Sequence, residues 1–347
     1  MKNTTRIAFN QYKDDQAALH GVASVSESFA VTPNVEQRIV DETQASSDFL
    51  KLVNMILVDE KQGKSLGLSS APNASTTDTT QAERVAKQII DSHNIDEYDC
   101  GKTDFDVATP YALLDMWAHR PEFQQIMARR QVQQMAIDKV TVGFMGTSRA
   151  ATSSRANNPL GQDVNIGWLQ KIRAKTQRYM KDVEFGADKS YKNLDAIAMD
   201  AKNSLLDPWH RKSSDLVVIC SSAMAMKKYF AIINRAQDNT NSEVAERLLR
   251  EQHFGMLPIV IAEQCPDNAL LITSLDNLSI YTQRASTRKT IIDNPKRDQI
   301  EVYQSQNDAY VIEDFGKVGL VELKVPAPTN VHRRIGGLER GDCDATH

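Results

Sequence analysis

Four cysteines stand far apart in 347 residues, at Cys100, Cys220, Cys265 and Cys343, and none belongs to a CxxC pair. Zinc sites and disulfide frameworks both use short, recurring Cys or His spacings, so these four read as free thiols of a reducing compartment. The seven histidines form no HxxxH or HxH pair, and no metal or cofactor is expected. No run approaches the roughly 18 apolar residues that cross a bilayer. The opening "MKNTTRIAFNQYKDDQAALHG" is broken by charge too often to hold a signal-peptide core, which predicts a chain that folds and stays in the cytoplasm, or enters a particle from there. A net charge of -4 offers no general excess of positive charge for binding nucleic acid.

What is present fits a folded chain. It is 41% hydrophobic and 25% charged, long enough for two or three compact units or one elaborate one. Residues 5–20 predict a short amphipathic helix with Ile7, Phe9, Tyr12, Ala17 and Leu19 on its apolar side. "GVASVSESFAVTP" breaks that pattern, so the first segment reads as a detachable leader. Helices are expected in "VEQRIVDETQ" and "SSDFLKLV", and a strand in "NMILV". From 59 to 103 the chain is polar, and two strand-like arms flank "SSAPNASTTDTTQAE": the stretch reads as a disordered surface loop, or as a projecting hairpin that needs a partner because it has little apolar face of its own.

Pro110 and Pro121 sit where first-turn prolines open helices. The second of these helices, 121–145, is about 37 Å long at 1.5 Å per residue. Its ends are apolar and its middle, "RRQVQQ", is polar, which predicts a bridge between two packing regions with its middle at a polar surface. In "NNPLGQDVNIGWLQKIR" Asp163 is the expected N-cap of a helix whose apolar face runs through Trp168, Leu169, Ile172, Tyr179, Met180 and Val183. Gly167 beside Trp168 implies a close neighbour. A helix in "LDAIAMDAKNSLLDPW", a buried strand in "DLVVIC", a helix in "AMAMKKYFAIINRA" and a series of strands follow. The end of the chain, from "KVPAPTNVHRR" on, reads as a mobile tail.

Catalytic patterns are scarce. "GKS" at 63–65 has Val58 where a phosphate-binding loop needs glycine, and "GFMGTSR" reads as a helix end and loop. "VVICSSAM" has the strand–turn–helix setting of a nucleophile elbow without its flanking glycines. A hydrolase or transferase using Cys220 or Ser221 is therefore the alternative from another class. Met224 and Met226 read as core filler, and Glu313 and Asp314 as solvated. One electrostatic feature stands out: Arg149, Arg155, Lys171, Arg173, Lys175, Arg178 and Lys181 face a single acid, Asp163, between 149 and 181. Such a stretch suits a solvated helix face, or a local surface turned towards phosphate or an acidic partner.

The strings "ESFAVTP", "SSDFL", "STTDT", "LDMWA", "NNPLGQDVNIGWLQ", "LDAIAMDA", "DLVVI", "QDN", "LDNLSIY" and "YVIEDF", in this order across residues 27–322, resemble the major capsid proteins of P2-like tailed phages (the peduovirus group). The resemblance implies an α+β chain of the Hong Kong 97-type capsid fold that is not an enzyme. It implies a cleavable scaffold-interacting leader at 1–29, an N-terminal arm at 30–58 and an extended β-hairpin loop at 59–103. A peripheral domain at 104–165 would carry the spine helix, 121–145, and an axial domain would span 166–285. Strands at 286–322 would return to the peripheral domain, with a mobile tail at 323–347.

The implied partners are the chain itself, in pentamers and hexamers of an icosahedral shell, an internal scaffold with a protease, a portal protein, and packaged double-stranded DNA. The implied location is the virion, assembled in the bacterial host cytoplasm, and a tail component is the other structural reading. Within "ESFAVTP" the resemblance puts a maturation cut between Phe29 and Ala30, in a window from Glu27 to Thr32. Trp117, Gly167 and Trp168 would make packing or subunit contacts, and the basic stretch would face DNA.

Overall fold

The computed structural model describes residues 1–64, 74–86, 97–117, 123–235 and 253–324. Much of the expected hairpin, the first two residues of the expected spine helix, Cys343 and nearly all of the expected tail therefore lie outside the described residues. The backbone alternates α1 (Asn3–His20), β1 (Phe29–Ala30), α2 (Pro33–Ala45), β2 (Asn54–Val58), β3 (Gln62–Lys64), β4 (Glu97–Asp99), β5 (Gly101–Asp104) and β6 (Val107–Pro110). Then come α3 (Tyr111–Trp117), α4 (Phe123–Met145), α5 (Trp168–Arg173), β7 (Tyr179–Val183), α6 (Leu194–Leu205), β8 (Leu216–Cys220) and α7 (Ser222–Arg235). The rest is β9 (His253–Phe254), β10 (Leu257–Ile261), β11 (Ala269–Ser274), β12 (Leu278–Gln283), β13 (Arg288–Asn294), β14 (Gln299–Ile312) and β15 (Gly319–Leu323).

Two sheets organise these elements. The first is built on β14, a 14-residue strand. Residues 299–302 pair with both β13 and β6, Ser305 with both β13 and β5, and Asp308 with both β5 and β12. Hence β13 and β12 follow one another along one edge of β14, and β6 and β5 along the other. β1 adds to β13 and β2 runs parallel to β12, giving seven strands. The second sheet has the order β7-β15-β11-β8-β10-β9. Its inner strands β8 and β11 are buried at every position, the continuous apolar pattern of strands covered on both faces. One face packs on α6 and α7 through Ile197, Ala201 and Met224, and the other faces the first sheet through Ile219, Leu271 and Leu320. A separate ribbon, β3–β4, pairs Gln62 with Asp99 and Lys64 with Glu97.

Several elements depart from the sequence reading. The helix expected from Asp163 to Val183 ends at Arg173, and Tyr179–Val183 forms β7, parallel to β15. Six helical residues hold little by themselves, whereas an aromatic and β-branched segment gains by extending a sheet. Asp163 caps no helix: it is buried and accepts from the Ser154 amide at 2.7 Å. "SSDFLKLV" makes only a 3₁₀ turn, Leu50–Leu52, and "QIEVYQS" with "YVIEDF" merge into β14. The chain changes sheets at β12 and again at β15, so residues 278–283 sit in the first sheet and 319–323 in the second. Residues 30–58 are built into their own subunit, with Val31, Val40, Phe49, Leu50 and Val53 buried.

Candidate assembly elements and the Trp168 joint

Gly167 is needed because two backbones touch. A Cβ there would lie 2.5 Å from the Val142 carbonyl oxygen and closer still to that of Gly143. One on Gly143 would in turn enter the Trp168 ring. The close neighbour is therefore the C-terminal turn of α4 in the same subunit. Trp168 is fully buried. Its Nε1–H donates to the Ser279 carbonyl at 3.1 Å, and its ring meets Phe144 and Tyr310 edge-on at centroid distances of 5.5 and 5.3 Å. Since Ser279 and Tyr310 belong to the first sheet and α5 packs on β15 of the second, Trp168 joins the two.

Beside it, the two short crossings between the sheets are clipped together by Asn277. Its amide donates to Thr273 Oγ1 at 3.0 Å and to the Asp314 carbonyl at 2.9 Å, and its Oδ1 accepts from the Asp314 amide at 2.7 Å. Asp314 is buried, not solvated: it accepts from the Gly316 amide at 2.7 Å and lies 3.0 Å from His210 Nε2. Glu313 accepts from Tyr281.

The spine helix α4 does not leave its polar middle wholly at a surface. Arg129, Arg130, Gln133 and Gln134 are exposed, but Gln131 is buried and donates to Gln304 at 2.8 Å. Within the apolar C-terminal part of the helix, between Ala136 and Val140, Lys139 meets Asp308 at 2.6 Å with both side chains 1% exposed. Thr282 supplies a second bond to that carboxylate at 2.7 Å. Alternate residues of β14 point the same way, so Gln304, Gln306 and Asp308 form a polar strip between apolar Ile300 and Val302 and apolar Tyr310 and Ile312. Polar helix faces polar strand: Gln304 and Asp308 find partners on α4, and the Gln306 amide donates to Thr287 Oγ1 at 3.2 Å while its Oε1 is buried without a partner.

The leader lies on the other end of the first sheet. Phe9, Tyr12, Val25 and Phe29 are buried against Tyr111, Leu114, Ile291, Ile300 and Val302. Arg6 pairs with Asp293, which also accepts from the Tyr111 hydroxyl. Desolvation works against that carboxylate, but the Tyr111 and Arg6 hydrogen bonds hold its pKa below the usual range. Thr5 and the Lys2 amide both donate to Asp115. Burial alone pushes the Tyr12 hydroxyl up to about 12. Phe29 and Ala30 pair with Lys289 and Arg288 at the edge of the sheet, with Phe29 buried and Ala30 exposed. The segment just before, Ser26–Ser28, is exposed. Beneath the leader, Lys289 is 8% exposed, and burial lowers its ammonium pKa to about 8. No hydrogen bond or ion pair reaches that ammonium among the described residues.

The basic stretch is largely occupied within the subunit. Arg173 pairs with Glu322 at 2.5 Å, Arg178 with Asp207 at 2.7 Å, and Lys175 lies 4.9 Å from the centre of the Phe315 ring. Lys171 is half-buried. Arg149 crosses Gly101 to donate to the Lys102 carbonyl at 3.0 Å, and Arg155 donates to the Pro159 carbonyl at 3.3 Å. Arg149, Arg155 and Lys181 remain exposed. Trp117 ends α3, and its side chain lies outside the described residues.

Neither Cys220 nor Ser221 resembles an activated nucleophile. Cys220 is fully buried, and desolvation pushes its thiol up to about 12, the reverse of a reactive cysteine. Ser221 accepts from the Met224 amide at 3.1 Å, capping α7. Met224 is core, but Met226 is 56% exposed. Among the described residues no helix is long and apolar enough to cross a membrane.

The profile of the family described as "Phage major capsid protein, P2 family" matches residues 8–323. The chain belongs to this family. It is 37% identical to the capsid protein of Escherichia phage P2 over 338 residues, covering 93% of this chain and 95% of that one. It is 36% identical to the major capsid protein of Serratia phage KSP20, covering 93% and 97%. Among solved structures, a chain of the satellite phage P4 procapsid including size determination (Sid) protein superposes with a TM-score of 0.75 at 36% identity, covering 93% of this chain and 98% of that one. This is a phage major capsid protein with the Hong Kong 97-type fold, and its family is structural, with no support for catalysis at Cys220 or Ser221.

For this capsid protein, sequence reasoning missed buried polar residues: Lys139, Asn277, Lys289, Asp308, and Glu36, which is fully buried and accepts from the Thr287 hydroxyl at 2.6 Å and the Ala285 amide at 2.8 Å. Only β14 carried a signal, since its alternation turns from apolar to polar and back on one face.

Proposed function

We propose that this capsid protein builds a closed icosahedral head shell from pentamers and hexamers of itself, around double-stranded DNA, on an internal scaffold that carries a protease, with a portal protein in the shell and assembly in the bacterial host cytoplasm. The observation that carries the reading is the likeness, over nearly the whole of both chains, to a subunit of a solved procapsid. The ribbon β3–β4 is the base of an extended loop that lies over a neighbouring subunit; the exposed, polar residues 74–86 give that loop no core of its own. The leader is removed between Phe29 and Ala30. β1 is an edge strand, and a protease that binds substrate by adding a strand can take it from that open edge. DNA meets Arg149, Arg155 and Lys181 by nonspecific phosphate contacts, since Arg173 and Arg178 are tied to Glu322 and Asp207.

Co-expression with the scaffold followed by electron microscopy tests the shell: closed particles are expected, and only tubes or small soluble species would refute it. Intact mass of protein from mature virions tests the cut, expected to yield a chain beginning at Ala30. A chain still beginning at Met1 or Lys2 would exclude cleavage.

A further inference from the structure

We propose that β13, the first half of β14 and α3 form a peptide-binding seat, and that the leader stays in it as a bound peptide after the chain is cut. The inference rests on the cleavage reading for its place in assembly, but the seat can be tested without it.

The leader's contacts are spread over its whole length and do not depend on the bond after Phe29. At its start, Arg6 donates to Asp293, which also accepts from Tyr111, while Thr5 and the Lys2 amide donate to Asp115. In its middle, Phe9 and Tyr12 are 1% and 4% exposed, set against Leu114, Ile300 and Val302. Towards its end, the Val25 carbonyl accepts from the Ile291 amide at 2.8 Å, and Phe29 stacks at 4.9 Å on His20. A cut removes the tether and so the high effective concentration it provides, but none of these contacts. Loss of the peptide is then set by its own dissociation rate.

The floor of the seat gives this consequence. A cavity of about 160 Å³ lies between α1, α2 and α4, lined by Tyr12, Gln16 and His20 of the leader and by Ile39, Gln131 and Lys289 of the body. His20 Nδ1 is buried there without a partner. While the leader is seated, Lys289 and His20 are largely buried beneath it. When it leaves, Lys289 regains hydration and the apolar floor of Ile291, Ile300 and Val302 opens. Release of the peptide, not scission of the chain, is the step that changes the subunit surface.

The test uses the full chain with the recognition sequence of a site-specific protease inserted between the exposed residues Glu27 and Ser28. After cutting in vitro, size exclusion with intact-mass detection follows the fragment, while hydrogen exchange in β8 and β11 reports whether the body is folded. The fragment is expected to co-elute with a folded body. Arg6→Glu, which sets two anions together at Asp293, should speed its release at least about tenfold, and the exchange Arg6→Asp with Asp293→Arg should restore retention. Immediate separation of the fragment from a folded body, or release unaffected by Arg6→Glu, would overturn the proposal. So would a body that unfolds on cutting, because the leader would then be part of the permanent core. None of these results bears on whether virions contain the cut chain, which the mass of virion protein decides alone.

Discussion

Around Trp168 the close contacts run from backbone to backbone, through Gly167, Gly143 and the α4 carbonyls. Around the leader helix they run mainly through side chains, Phe9, Tyr12 and Arg6, with backbone bonds to β13 only after it, at Val25 and in β1. Neither chain at the joint can be removed without opening both sheets, whereas α1 is one terminal helix laid on a finished sheet. The same contrast holds for two buried lysines. Lys139, in the body, has Asp308 at 2.6 Å; Lys289, under the leader, has no hydrogen-bond or ion-pair partner among the described residues. Covering an unpaired cation offsets part of the stability that the leader's apolar contacts contribute, which suits the proposed release of the leader.

The widest gap between the regions should come from truncating one aromatic in each. Trp168→Ala leaves a large cavity and an unpaired Ser279 carbonyl, and should cost about 3–5 kcal/mol in urea unfolding. Phe9→Ala should instead unseat α1 and leave the midpoint of the body nearly unchanged, seen as loss of protease resistance at residues 21–28. Breaking the paired lysine comes next. Lys139→Ala strands Asp308 with only Thr282 and should cost roughly 3–5 kcal/mol, while Lys139→Met combined with Asp308→Leu should recover most of it.

Removing the unpaired lysine should have the opposite sign. Lys289→Met should stabilise the intact chain by up to about 3 kcal/mol at neutral pH, from a pKa held near 8 against an ordinary 10.5. Because the folded pKa is the lower one, the unfolded chain binds more protons between pH 8 and 10.5. Wild-type stability therefore rises with pH across that window, and the advantage of Lys289→Met shrinks there. Once the leader is gone the substitution should matter little at any pH. The smallest effect is local to the second sheet. Asn193 caps α6 by accepting from the Ala196 amide at 2.9 Å, and Asn193→Ala should cost about 1 kcal/mol without touching either region compared above.

Much of this was legible in the sequence. The helix of the leader, the spine helix, the all-buried strand at Leu216–Cys220 and the meaning of Gly167 as a close approach follow from periodicity, length and the cost of glycine in a helix. The family resemblance supplied the fold. What stayed hidden depends on partners far along the chain. Lys139 reads as an ordinary helix-surface lysine until Asp308, 169 residues away, is brought beneath it. Arg173 and Arg178 read as a free basic face until Glu322 and Asp207 meet them. Tyr179–Val183 has a helical spacing of apolar residues, and only the open edge of β15 makes it a strand. The leader's own amphipathic face was visible, but not that its seat lies on the same subunit.

The central claim is that one chain carries a permanent joint and a removable cover, and hydrogen exchange on the intact protein tests it most directly. Amides of α5, β8 and β11 should exchange only through global unfolding, while those of α1 exchange orders of magnitude faster through local release and carry with them only the amides of β13 that face β1. Equal protection of α1 and β11, lost together in a single transition, would contradict the account.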